Sequence, residues 1–103
     1  MVETTMDTTG KLNLEGLSLS VVIPAYNEEG AVRETVEEVR AAMEPTGVPY
    51  EIVVVDDGSK DNTRAEAIEA GATVDWNPQN MGYGATLKRG VKKAQYELSL
   101  IHI

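Results

Sequence analysis

Apolar residues recur in this chain with two alternating rhythms. Leu19, Val21, Val22 and Ile23 form a near-continuous apolar run, the mark of a strand covered on both faces of a parallel sheet. It predicts a strand over residues 18–23, ended by Pro24, which has no N–H to give a ladder. The period then lengthens. Val32, Val36, Val39 and Met43 make one stripe of a helix over residues 29–43, while Glu34, Glu37, Glu38 and Arg40 fall off it. Pro45, Gly47 and Pro49 punctuate the next loop. A second apolar run predicts a strand over 50–55. Asp61 or Asn62 suits the cap of a second helix, which continues to residue 70 and stops at Gly71. A weaker strand follows over 73–76, then a loop over 77–82. A third helix spans 84–94, with Leu87, Val91 and Ala94 on one face.

This βαβαβα order implies an α/β fold with a parallel sheet and right-handed crossovers. Residues 1–17 are polar and aperiodic and are expected to be a flexible leader. Residues 96–103 suit a fourth strand. The last six residues, Leu98-Ser99-Leu100-Ile101-His102-Ile103, can also be encoded by CTG TCT CTT ATA CAC ATC, the transposon-end adapter of short-read libraries. They are expected to be a non-native tail, with His102 carrying no function.

Composition narrows the classes. The chain has 103 residues, enough for one modest domain, and 42% of them are apolar. Nine Lys and Arg against 17 Asp and Glu leave a net charge of −8. That balance argues against a nucleic-acid binder held by phosphate contacts and favours solubility. The absence of Cys excludes disulfides, thiolate metal sites and a cysteine nucleophile. No apolar run approaches the ~20 residues of a membrane-spanning helix.

Candidate chemistry collects where strands end, since open α/β sheets bind ligands at the C-terminal edge of their strands. Asp56-Asp57-Gly58-Ser59 closes the second strand. Its acids suit hydrogen bonds from a base or sugar, or a divalent cation; they equally suit a turn that caps the following helix. Pro24-Ala25-Tyr26-Asn27-Glu28 closes the first. Tyr26 offers a ring to stack on a base, Glu28 an acceptor, and the helix start a set of free N–H groups for a diphosphate. Simple capping by Asn27 and Glu28 is the alternative. Gly82-Tyr83-Gly84 precedes the third helix, but Leu87 stands where a dinucleotide fingerprint needs its third glycine. Lys88, Arg89, Lys92 and Lys93 follow; a solvated face is the default, and Lys88 is the best placed to reach a phosphate.

Taken in order, these three elements resemble the nucleotide-binding half of family 2 glycosyltransferases of the GT-A fold over residues 18–96. The stretch from Gly82 to Gly90 is similar to the branch that makes dolichyl- or undecaprenyl-phosphate sugars. The resemblance implies a Rossmann-like parallel sheet, truncated, and a nucleotide-diphospho-sugar donor. It implies that Pro24, Ala25, Tyr26 and Glu28 line the nucleotide pocket, that Asp56 contacts the base, and that Asp57 lies close by. It also implies Mg²⁺ or Mn²⁺ on an Asp-x-Asp motif beyond Glu97, so no metal ligands and no catalytic residue are assigned within this chain. The acceptor it implies is a polyprenyl phosphate at the cytoplasmic face of a membrane, with inverting displacement by the intact protein and no activity from these residues alone. A receiver-like signalling domain fits less well, because a full strand and helix precede the acid pair. A Ca²⁺ loop fails because Asn62 stands where glycine is needed.

Overall fold

The computed structural model describes residues 5–6, 12–13, 16–96 and 98–102. Strands β1 (Thr5–Met6) and β2 (Leu12–Asn13) form a short antiparallel ribbon; the rest of the expected leader up to residue 15 lies outside the described residues. The body is a parallel sheet of β3 (Leu19–Ala25), β4 (Tyr50–Asp56), β5 (Thr73–Trp76) and β6 (Leu98–Ile101), in the order β5-β4-β3-β6. Helices α1 (Val32–Met43), α2 (Thr63–Glu69) and α3 (Tyr83–Lys93) connect the strands.

Two boundaries depart from the sequence expectation for physical reasons. Strand β3 runs through Pro24 to Ala25, where Pro24 pairs with Val55 and Ala25 with Asp56. Even-numbered residues of β3 turn their backbone polar groups toward β6, as the bond from His102 N–H to Val22 O shows. The β6 pairing stops at Val22, so the donor that Pro24 lacks has no partner there to miss. Helix α1 starts at Val32, three residues later than the expected 29 though in step with its apolar stripe, because the Glu28 carbonyl closes a turn first, accepting from Ala31 and Val32 N–H. The segment expected to be a non-native tail supplies β6; ladder pairing asks only for extended backbone and is indifferent to a segment's origin.

The core has two sides. Val21, Ile23, Ala25, Ile52 and Val54 pack with Val32, Val36 and Val39 of α1 and with Ala67 and Ala70 of the α2 region. On the other face Val22, Val53 and Val55 are buried beneath α3. The sequence pattern put Leu87, Val91 and Ala94 on one face of that helix. Instead it buries Thr86 and Gly90 and leaves Val91 half exposed. Small residues win because the helix rides close to the strands. A Cβ on Gly90 would collide with Val22 Cγ1 and sit 3.1 Å from Val55 Cγ2.

Gly90→Ala therefore tests packing against propensity. Helix propensity alone favours Ala by about 0.5–1 kcal/mol, whereas overpacking against two stiff β-branched side chains costs about 1–3 kcal/mol. The expected outcome is a lower urea midpoint, with the loss in Gly90→Ala/Val22→Ala smaller than the sum of the two single losses. A stabilised single variant would show that α3 lifts off the sheet freely.

Candidate functional site

The C-terminal edge of the sheet carries the β3–α1, β4–α2 and β5–α3 loops. Side chains of the second loop and of α2 take up backbone donors of the first. Asn27 N–H donates to Ser59 Oγ (2.8 Å) and Glu28 N–H to Thr63 Oγ1 (2.8 Å). Glu29 N–H donates to Asp61 Oδ2 (3.2 Å). Gly30 N–H and Arg33 N–H donate to the two carboxylate oxygens of Glu66 (2.8 and 3.2 Å). In return Asn27 Oδ1 accepts from Lys60 N–H (3.0 Å). Asn27 itself sits at φ 50°, a conformation Asn tolerates better than most residues. The N-terminus of α1 thus holds an anion, as its dipole demands, but the anion is Glu66. The donors expected to meet a diphosphate are occupied, and neither Asn27 nor Glu28 supplies the cap. Within the second loop, hydrogen bonding led by the Thr63 hydroxyl holds the Asp61 carboxyl below its ordinary value.

Asp57 ties the third loop to the second. Its Oδ1 accepts from Asn77 Nδ2 (2.8 Å) and Met81 N–H (2.8 Å), and its Oδ2 from Gly82 N–H (3.1 Å). Asn77 Nδ2 also donates to Thr86 Oγ1 (3.2 Å), whose hydroxyl donates to the Gly82 carbonyl (2.8 Å). Burial pushes the Asp57 carboxyl up, but the bonds from Met81, Asn77 and Gly82, with the Thr86 hydroxyl beside them, outweigh it and hold the group below its ordinary value. Asp57 is an anion fixed by donors on one side.

Between these loops lies a cavity of about 430 Å³. Pro24, Ala25, Tyr26, Glu28 and Asp57 line it from the β3 and β4 ends, and Asn80, Gly82, Tyr83 and Thr86 from the β5–α3 loop. Two half-exposed aromatic rings, Tyr26 and Tyr83, stand at its rim. Five of the seven residues picked from the sequence therefore meet here. Asn80, Tyr83 and Thr86 were not among them; the signal for them was the Gly82-Tyr83-Gly84 turn, whose neighbours a glycine loop pressed on a ligand must bring along.

Asp56 and Lys88 are placed elsewhere. Asp56 shares the side of the sheet with Ile52 and Val54, because alternate strand residues face alternate sides. It is fully buried (0% exposed) rather than open to the cavity. Its Oδ1 accepts from Ser59 N–H (3.3 Å), while its Oδ2 has no hydrogen-bond partner and lies 3.6 Å from Arg64 Nε. Lys88 lines a separate groove with Asp75, Asn77, Met81, Arg89 and Lys92. Arg89 there is already paired with Asp75 at 3.1 Å. Among the described residues no group of three His, Cys, Asp or Glu could hold a metal ion, and no helix is long and apolar enough to cross a membrane.

Comparison with known proteins gives this geometry a context. The model of the family "Glycosyl transferase family 2" matches residues 20–102. Undecaprenyl-phosphate 4-deoxy-4-formamido-L-arabinose transferase of Shewanella sediminis is 42% identical over 71 residues, covering 69% of this chain and 20% of that protein. The enzyme of the same name from Pseudomonas aeruginosa is 37% identical over 87 residues, covering 78% and 25%. Among solved structures, glucosyl-3-phosphoglycerate synthase from Mycobacterium tuberculosis, in complex with Mn²⁺, UDP and glucosyl-3-phosphoglycerate, superposes with a TM-score of 0.73 at 28% identity, covering 86% of this chain and 34% of that one. Mannosyl-3-phosphoglycerate synthase from Rubrobacter xylanophilus gives a TM-score of 0.72 at 27% identity, over 82% and 29%. The chain thus spans a fifth to a quarter of the relatives it matches in sequence.

Proposed function

We propose that this chain, which belongs to Glycosyl transferase family 2, holds the nucleotide of a nucleotide-diphospho-sugar in the cavity between the β3–α1 and β5–α3 loops. The observation that carries the reading is the convergence of Tyr26, Glu28 and Asp57 on one cavity at the sheet's C-terminal edge. Tyr26 and Tyr83 provide faces for a base. The ionised Asp57 accepts from base or ribose N–H and O–H groups, the role expected of Asp56. UDP is the first nucleotide to try, because the mycobacterial neighbour is complexed with it.

The wider reaction in this reading takes a polyprenyl phosphate as acceptor, after the named relatives, at the cytoplasmic face of a membrane. A phosphate oxygen of the acceptor forms a bond to the anomeric carbon. The bond from that carbon to the nucleoside diphosphate breaks with inversion, and its electron pair leaves with the diphosphate. The described residues bind and orient the nucleotide; they include no cluster of His, Cys, Asp or Glu that would hold the Mn²⁺ or Mg²⁺ named with UDP in neighbours. A chain that binds without transferring is the matching expectation for these residues alone.

Isothermal titration of the chain with UDP tests the reading. Tyr26→Ala should weaken binding by about 1–3 kcal/mol, the usual worth of a base–aromatic stack, and Tyr26→Phe should restore it. Absence of UDP uptake by the wild type, or indifference to Tyr26→Ala, would sink the assignment.

A further inference from the structure

We infer that Arg64 is a positioning residue that sets the β3–α1 wall of the nucleotide cavity through the buried Asp56; the role in nucleotide uptake rests on the reading above. Asp56 is a carboxylate with no exposed surface and one oxygen without a hydrogen-bond partner. Such a group is costly unless a charge compensates it. Arg64 Nε, 3.6 Å away, is the cation within ion-pair distance among the described residues. That separation exceeds a hydrogen bond, so Arg64 acts by its charge.

Arg64 is held in place for the task. Its guanidinium lies 4.6 Å from the centroid of the Trp76 ring, a stacking arrangement arginine favours. Trp76 is fixed in turn by the end of β5, where Asp56 pairs with Trp76 and Asn77 N–H donates to the Asp56 carbonyl (2.8 Å).

What Asp56 does with its compensated charge leads to the cavity. Its other oxygen accepts from Ser59 N–H, and Ser59 Oγ accepts from Asn27 N–H (2.8 Å). Asn27 stands between Tyr26 and Glu28, which line the cavity, and its side chain accepts from Lys60 N–H. A relay therefore runs from Trp76 and Arg64 through Asp56 and Ser59 to the Tyr26 wall. Neither Arg64 nor Trp76 lines that cavity.

Amide hydrogen exchange without nucleotide reads the relay directly, and UDP titration reads its consequence. Arg64→Gln should speed exchange at the Ser59 and Asn27 amides at least tenfold and weaken UDP binding about tenfold, while Arg64→Lys restores most of both. In an Asp56→Asn background no buried charge needs compensation, so adding Arg64→Gln should change neither readout. Unchanged amides in Arg64→Gln, or an equal effect in the Asp56→Asn background, would overturn the relay. Should Arg64→Gln fail to fold, a folded Asp56→Asn/Arg64→Gln protein supports the relay and an unfolded one overturns it. A wild type that ignores UDP yet shows the amide response would remove the nucleotide reading alone.

Discussion

Asp57→Ala is expected to cost at least about 3 kcal/mol of stability and to abolish nucleotide uptake with it. The carboxylate receives Asn77 Nδ2, Met81 N–H and Gly82 N–H, and Ala leaves all three without their acceptor. Hydrogen bonds to a charged group contribute about 1.5–3 kcal/mol each, and a buried donor left unmade costs about 1–3 kcal/mol. Some of these donors will find water, so the sum is discounted to its lower end. Against a total stability of about 5–15 kcal/mol this is a large fraction. The pH dependence gives the group its signature. The folded-state value of Asp57 lies below its ordinary one, so its contribution is full above the unfolded value near pH 4 and disappears as pH falls through the folded value. Urea unfolding of wild type and variant from pH 7 to pH 3 should show a gap that is constant above the unfolded value and begins to narrow below it. A gap that stays constant would mean Asp57 contributes by shape and not by charge.

Gly58→Ala is the second large effect. Gly58 has φ +77°, and a Cβ there would strike the backbone of the next loop: the Gln79 carbonyl carbon, Gln79 Cα at 2.7 Å and Asn80 N at 2.6 Å. Backbone cannot rotate away as a side-chain tip can. Left-handed strain adds about 1–2 kcal/mol for Ala, and overpacking about 1–3 kcal/mol, for a loss of about 2–5 kcal/mol. Gly30→Ala is the matched control, since Gly30 has φ +88° with nothing within 4 Å of the added atom. It should show the strain alone. Equal losses in the two variants would mean that the 57–59 turn does not bear on the 79–80 backbone. Because Asn80 lines the cavity, Gly58→Ala should also weaken UDP binding where Gly30→Ala does not.

The strands and the order of elements were legible in the sequence because a strand buried on both faces has to be apolar along most of its length, and β3 and β4 are, apart from Ser20, Glu51 and Asp56. The lining of the cavity by Pro24, Ala25, Tyr26, Glu28 and Asp57 was legible for a related reason: strand ends in such a sheet converge. What escaped needed three dimensions. Asp56 and Asp57 are neighbours in sequence, and only the parity of β4 relative to its helices turns one into the core and the other into the cavity. Thr86 and Gly90 mark the buried face of α3, yet hydrophobicity pointed to Val91, because the helix lies too close to the strands for larger side chains. Glu66 reads as a surface acid of α2; its role appears once α2 is set beside the start of α1.

That last placement bears on how the molecule is put together. The first turn of α1 takes its cap from a residue 36 positions on from Gly30 and 33 on from Arg33. A helix of this length is marginal in water by itself, and this one also lacks a cap of its own making. A peptide spanning the first strand and helix is thus not an autonomous module. The smallest cooperative unit reaches through α2, so opening of either helix exposes the end of the other, and the two should be lost together in native-state exchange.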